Sequence, residues 1–268
     1  MHIGTIVVAA MLVIAASRAI EARDYELVGL DESNTLIRFD SARPGDVTLT
    51  KVRGVSGTLV GIDHRPSNGL LYGLSTTNDV YTIDRASGAA TLVSTLTLAF
   101  DAGPRSGFDF NPQTDRLRLV GGNGQNLRVN VDLGAAAADT PLRYATTDAN
   151  VGKRPAIAAA AYTNAIANAP TTKLYDIDSD LDVLALQDPP NDGVLATVGP
   201  LGVDFGPLAG LDIVSEGGVD RAFAVSGLRL YEVDLATGAA RPLGTVGGPM
   251  DGQLIGLTVV PGAKTEQN

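Results

Sequence analysis

No cysteine and no tryptophan occur among the 268 residues, and histidine occurs only at His2 and His64. Without cysteine there are no disulfides, no thiolate metal sites and no sulfur nucleophile, so stability must come from packing and strand ladders. A single histidine beyond the N-terminal segment excludes zinc sites built from His and Cys clusters. A Ser-His-Asp triad would have to use His64, and no Gly-x-Ser-x-Gly elbow accompanies it. His64, beside Arg65-Pro66, reads as a loop residue at a strand end. No phosphate-cradling loop or dinucleotide fingerprint opens a helix, so no cofactor is expected. Basic residues are also scarce: Lys and Arg number 20 against 30 Asp and Glu, a net charge of −10. A phosphate backbone needs a basic footprint, which excludes nucleic acid as a partner. An acidic balance also keeps an exported protein in solution.

Helix-forming stretches are few. Ala135 to Ala138 is too short to nucleate and is expected to be a loop, while the small residues from 156 to 161 suit an inner strand at a crowded axis. Hydrophobic residues still make up 44% of the chain, enough for a sizeable core. Residues 3–16 form an apolar run followed by small residues, the pattern of a secretory signal peptide. The run is shorter than the roughly 20 residues of a spanning helix, so no membrane span is expected after cleavage. An uncleaved N-terminal anchor is the alternative. The expected organisation is a signal peptide at 1–22, one domain at 23–262 and a tail at 263–268. Periplasmic or extracellular localisation follows from that organisation, for a monomer.

What the chain has in abundance is repetition. Gly61-Ile62-Asp63 leads to Leu71-Tyr72-Gly73-Leu74, Val80-Tyr81-Thr82-Ile83-Asp84 and Ser87-Gly88. Gly210-Leu211-Asp212 leads to Ala222-Phe223-Ala224-Val225, Leu230-Tyr231-Glu232-Val233-Asp234 and Thr237-Gly238. A weaker copy starts at Gly107-Phe108-Asp109, and a degenerate one lies near Ala160. With Gly256, the openings are spaced 46 to 53 residues apart. Units of four short strands at this period build a β-propeller. The C-terminal run Leu254 to Val260 looks like a first strand with nothing after it. The runs from Tyr25, Leu36 and Val47 look like second, third and fourth strands with nothing before them. Joining them completes a blade and removes the exposed edges. The predicted fold is therefore all-β, a five-bladed propeller with the C-terminal strand closing the first blade. A sixth blade would have to hide in residues 135–156, which lack β-branched runs.

Asp63, Asp109 and Asp212 recur at one position of the first strands, which line the axis. Recurrence predicts turn capping by their side-chain oxygens; convergence at the mouth would instead make them ligand-binding groups, or a carboxylate pair for glycoside chemistry. Asp176, Asp178, Asp180 and Asp182 alternate as calcium-loop ligands do, but the turn glycine and the closing Glu are missing, so ordinary hairpin chemistry is expected and no metal. In the third unit, a turn centred on Asn123 sets Arg118 opposite Arg128. Like charges facing each other are unfavourable, so an anionic neighbour is required. Asp109 or Asp115 is the expected counter-ion; a bound anionic or sugar ligand reached by Gln125 and Asn126 is the alternative.

Several of these segments resemble a known bacterial family, the domain of unknown function 4394. The resemblance rests on Gly107-Phe108-Asp109-Phe110-Asn111-Pro112, Asp115-Arg116-Leu117-Arg118-Leu119-Val120 and Gly124-Gln125-Asn126-Leu127-Arg128. Ala161-Tyr162-Thr163-Asn164, Pro189-Pro190-Asn191-Asp192-Gly193 and Val198 to Asp204 continue it. It implies an exported propeller and carries no catalytic residues. The functional expectation is a binding or scaffold module for a carbohydrate, small molecule or protein. The alternative is a carbohydrate-active hydrolase or lyase using the channel carboxylates.

Overall fold

Five small antiparallel sheets, set radially about one axis, account for every strand of the computed structural model, which describes residues 24–247 and 252–264. The expected signal peptide lies outside the described residues. Blade 1 joins β1 (Tyr25–Asp31), β2 (Thr35–Asp40) and β3 (Arg43–Lys51) to the C-terminal β21 (Leu254–Lys264). Blade 2 is β4 (Leu59–His64), β5 (Leu71–Ser75), β6 (Asp79–Ile83) and β7 (Ala90–Thr95). Blade 3 is β8 (Ser106–Asn111), β9 (Arg116–Gly121), β10 (Asn126–Asn130) and β11 (Ala135–Ala138). Blade 4 is β13 (Ile157–Tyr162), β14 (Leu174–Asp178), β15 (Val183–Gln187) and β16 (Val194–Pro200), with β12 (Arg143–Tyr144) added in parallel at its outer edge. Blade 5 is β17 (Ala209–Glu216), β18 (Val219–Ser226), β19 (Arg229–Val233) and β20 (Ala240–Thr245).

Closure occurs as the repeat predicts: β21 pairs antiparallel with β1, setting Val28 opposite Thr258 and Gly29 opposite Leu257. The inner strands then contact one another in the cyclic order β21, β4, β8, β13, β17 and back to β21. The interval once open to a sixth blade holds only β11 and β12, both edge strands of existing sheets. Ala135–Ala138 is thus a strand rather than the expected loop. It carries no β-branched residue, and its place is set by the backbone ladder to β10, where Ala137 faces Arg128.

Because each blade is sandwiched between two others, both faces of its inner strands are buried, and β4 and β13 are buried throughout. The core is accordingly split into five apolar clusters, one at each blade junction. The cluster between blades 3 and 4 is the smallest, and polar groups take up the space there.

Both rims of the ring are bonded from blade to blade. At the outer rim the turn between third and fourth strands meets the preceding blade. Arg53 N donates to Gly88 O (2.8 Å), Thr97 N to Gly134 O (2.9 Å) and Thr140 N to Asn191 O (3.1 Å). Ala240 N donates to Leu201 O (2.9 Å), and Gly247 N donates to Pro44 O (3.1 Å) across the closing junction. Gly134 has φ +66°, and a Cβ there would collide with the Thr95 carbonyl; only glycine permits that approach. At the inner rim Gly61, Gly107 and Gly210 permit equally close approaches. A Cβ on Gly107 would overlap Ala160 of the next inner strand.

Candidate functional site at the ring mouth

The axis does not form a through-channel. At its middle, Gly61, Ile62, Phe108, Ala160, Gly210 and Leu257 leave a void of about 10 Å³, no more than one water. Above this plug, where the inner strands end, a cup of about 270 Å³ opens to solvent. Asp63, Asp109 and Asp212 line it from β4, β8 and β17. The repeat therefore brings the three predicted aspartates together, with one oxygen of each within 4.8 Å of the others. An apolar rim surrounds them, including Pro66, Ile166, Val214 and Pro261.

Turn capping is not what these side chains do. Asp63 Oδ2 accepts the backbone N–H of Phe110 in the next blade (2.9 Å). Asp109 Oδ1 accepts Tyr162 N–H (3.1 Å), and Asp212 Oδ2 accepts Val259 N–H (2.5 Å), again one blade onward. Each bond reaches the residue that follows the equivalent position, so the pattern is a staple between neighbouring inner strands. The equivalent positions in blades 4 and 1 are Ala161 and Thr258. Ala161 offers no oxygen, and the N–H it would have held, Ile213 N, turns to Asp212 Oδ1 (2.6 Å). Thr258 donates its hydroxyl to Asp63 Oδ1 (3.0 Å). Among the described residues, five of the six carboxyl oxygens accept a hydrogen bond, Asp109 Oδ2 being the exception.

Burial raises the affinity of all three carboxyls for protons. Asp63 is pushed well up by desolvation and then by the charge of Asp212; Asp109 is pushed well up by desolvation and the charges of Asp63 and Asp212. Asp212 rises to about 6, desolvation outweighing its backbone hydrogen bonds. The floor therefore holds protons near neutrality rather than three full charges. These are also the described carboxyl groups near enough to share a cation.

His64 is not the loop residue expected. It is the buried last residue of β4, and its Nδ1 lies 3.1 Å from Thr258 Oγ1. The same hydroxyl oxygen accepts the backbone N–H of His64 (3.3 Å) and contacts Asp63 Oδ1 (3.0 Å), so His64, Thr258 and Asp63 form one buried polar chain. Burial, then the nearby Arg85, holds the ring neutral with a pKa of about 3.

The predicted hairpin register is present, with Arg118 opposite Arg128. The counter-ion is neither Asp109 nor Asp115. Asp139, just past β11, accepts both guanidinium groups on Oδ2 at 2.7 Å each. Asp115 instead pairs with Arg65. Asn126 holds Arg118 through Oδ1 (2.7 Å) and donates to the carbonyls of Thr140 and Pro190. Gln125 lies apart, accepting Asp101 N–H and donating to Ala99 O. The alternating aspartates disperse as well. Asp178 accepts from Tyr144 Oη and Ala156 N, Asp180 pairs with Arg105, and Asp182 accepts from Phe205 N. Asp176 is fully buried, and neither of its oxygens has a hydrogen-bond partner among the described residues.

Comparison with known proteins places this geometry in context. The family model described as domain of unknown function (DUF4394) matches residues 35–258. No curated protein matches the chain. A structural genomics protein of unknown function from Bacteroides thetaiotaomicron VPI-5482 is similar at 14% identity and TM-score 0.53, over 82% of this chain and 56% of that one. An auxiliary nutrient binding protein from the same organism aligns at 15% identity and TM-score 0.43, over 74% of this chain and 55% of that one. The chain thus spans little more than half the length of either, and the first likeness bears on the fold alone.

Proposed function

The chain belongs to the DUF4394 family, and we propose that it is an exported ring-shaped binding module that takes a small ligand in the axial cup. The observation that carries this reading is the dead-ended cup itself, with its floor of converging carboxyls held in place by backbone N–H groups. A floor fixed in this way loses little freedom when it is occupied, which favours binding. It is rich in acceptors and partly protonated, and the rim is apolar. That combination suits a ligand with hydroxyl or amine donors on a compact body, such as a neutral sugar or an amine. Export is inferred from the apolar leader at residues 3–16 and is checked by the N-terminal sequence of the secreted protein.

A panel of sugars and amines, read by thermal shift, tests the reading, because a ligand that binds the folded state raises Tm by mass action. A hit that disappears in Asp109→Asn while the fold is retained supports it. A panel without hits, or a hit indifferent to that substitution, removes it. The alternative, a hydrolase or lyase, is favoured by one observation: neighbouring carboxyls with raised pKa whose oxygens lie within 4.8 Å of one another, where retaining glycosidases space theirs at ~5–5.5 Å. Against it, both oxygens of Asp63 and of Asp212 are already bonded, leaving no unbonded nucleophile in either. Turnover of chromogenic glycosides that is lost in Asp109→Asn at unchanged Tm would reverse the ranking.

A further inference from the structure

A second opening lies on the same face, outward from the cup at the junction of blades 3 and 4. It is a cleft of about 390 Å³, lined by Arg116, Arg118, Arg128, Tyr162, Thr172 and Asn191 among others. This is also the junction with the smallest apolar cluster, beside which buried polar groups gather.

Arg118 forms its inner wall, and its guanidinium is fixed by four bonds. Nε donates to Tyr162 Oη (3.2 Å), Nη1 to Asn126 Oδ1 and Asp139 Oδ2 (2.7 Å each), and Nη2 to Asn191 Oδ1 (2.7 Å). Such a group is costly to bury and gains nothing by facing Arg128 directly across the hairpin. One carboxylate, Asp139, serves both arginines through a single oxygen. Arg128 spends only Nε on it, and the side chain is 43% exposed. Its two terminal amino groups donate to no group among the described residues. The amide nitrogen of Asn191 is likewise unspent.

Charge counting gives the same sign. Arg116 is offset by the neighbouring group of Arg65 with Asp115 and Asp132, which carries one excess negative charge. Arg118 and Arg128 share Asp139, which leaves one positive charge in excess, in a protein whose net charge is −10. Asp176, near enough to feel the charge of Arg118, is fully buried with no donor among the described residues, and desolvation pushes its carboxyl well up toward the neutral form. The cleft therefore offers spare donors, an unbalanced cation and a rigid wall.

We propose that this cleft binds a small oxyanion, of which a sugar carboxylate is the form best matched to its size, with Arg128 as the principal contact and Arg118 as the fixed wall. Two parallel N–H donors of a guanidinium match the two oxygens of a carboxylate, and the 390 Å³ volume exceeds what a bare inorganic ion fills.

The test uses the purified protein at constant ionic strength, with sodium D-glucuronate, inorganic phosphate and D-glucose as probes, read by calorimetric titration and thermal shift. Glucuronate is expected to bind and to raise Tm, glucose to do neither at this site, and Arg128→Gln to weaken glucuronate binding at least tenfold without lowering the Tm of the free protein by more than a few degrees. Phosphate binding as tightly as glucuronate and losing affinity equally in Arg128→Gln supports the oxyanion site and removes the preference for a sugar. Absence of binding by both anions, or binding that survives Arg128→Gln, overturns the proposal. Asp212→Asn, which alters the axial cup from blade 5 and bonds the backbone of Ile213 and Val259, is expected to leave glucuronate binding intact, so the two sites fail independently.

Discussion

Replacing Arg65 by Ala should cost the ring much of the bonding between blades 2 and 3. The side chain leaves the turn after β4 and makes two forked pairs with the neighbouring blade: Nε and Nη2 to Asp115 (2.9 and 2.6 Å), Nη1 and Nη2 to Asp132 (2.7 and 2.9 Å). Its guanidinium carbon sits 5.7 Å from the Tyr72 ring centre and 6.0 Å from that of Phe110. Breaking a fully buried pair typically costs about 3–5 kcal/mol. Here the carboxylates are about a third and a half exposed, so water screens them and the figure falls to about 2–3 kcal/mol. For a chain of this size that corresponds to a Tm lower by about 5–10 °C.

The pH dependence of the loss identifies its cause. Hydrogen bonding to Arg65 holds both Asp115 and Asp132 below the ordinary 3.8, so their stabilisation is present above that value and fades as pH falls through the lowered folded values. The Tm gap between wild type and Arg65→Ala should be constant from pH 7 to 5 and narrow below about pH 4. Scanning calorimetry from pH 7 to 3 measures both. A gap under about 1 °C at pH 6, or one that stays constant down to pH 3, would refute this account of the junction.

The axial carboxyls should give the opposite slope. Their pKa values are raised, so the stability they contribute is complete below 3.8 and lost as pH rises, for Asp212 through about 6. Unfolding in denaturant should therefore be harder at pH 5 than at pH 7.5, by on the order of 1–3 kcal/mol, with the difference reduced in Asp109→Asn. Gly134→Ala and Gly69→Ala share a positive φ, near +66° and +69°, but only the first meets a backbone carbonyl. Chemical denaturation should show a loss of about 1 kcal/mol at Gly69 and about 3 kcal/mol or more at Gly134. Deleting residues 253–268 removes β21 and exposes both the edge of β1 and the inner face of β4. A soluble, cooperatively unfolding product by circular dichroism would contradict closure through that strand.

Much of the architecture is legible in the chain because a propeller repeats its local chemistry. Gly61-Ile62-Asp63 and Gly210-Leu211-Asp212 mark inner strands, and the unmatched runs at the two ends announce the shared blade. Contacts between blades are harder to read. Asp63 meets Phe110 and Arg65 meets Asp132 across a radial gap whose register no hairpin turn encodes. Asp139 escaped notice as the counter-ion because β11 is a run of alanines. Its strand character comes from pairing with β10, not from side-chain preference. Asp176 was hidden in a similar way. The alternating aspartates look like one hairpin motif, yet the first belongs to the buried face of β14.

Why three aspartates rather than five follows from the narrowness of the axis. A staple at every junction would crowd five carboxyls into a space where three already stand within 4.8 Å and already hold protons. Each added acid raises the cost of ionising the others. The two exceptions resolve this in different ways. Thr258 puts a donor where blade 1 would have an acid, so Asp63 gains a hydrogen bond instead of a repelling neighbour. Ala161 gives up the staple between blades 4 and 5, and Ile213 N–H falls back on Asp212. That junction is held instead by a large apolar cluster through Phe205, Leu211 and Tyr231, and by Ala240 N–H to Leu201 O at the outer rim. The cup therefore has a directional floor, acidic toward blades 2, 3 and 5 and neutral toward blades 1 and 4. On the proposed reading, a ligand with a single donor group would sit off the axis over Asp109, the acid of this floor that keeps an oxygen unbonded among the described residues.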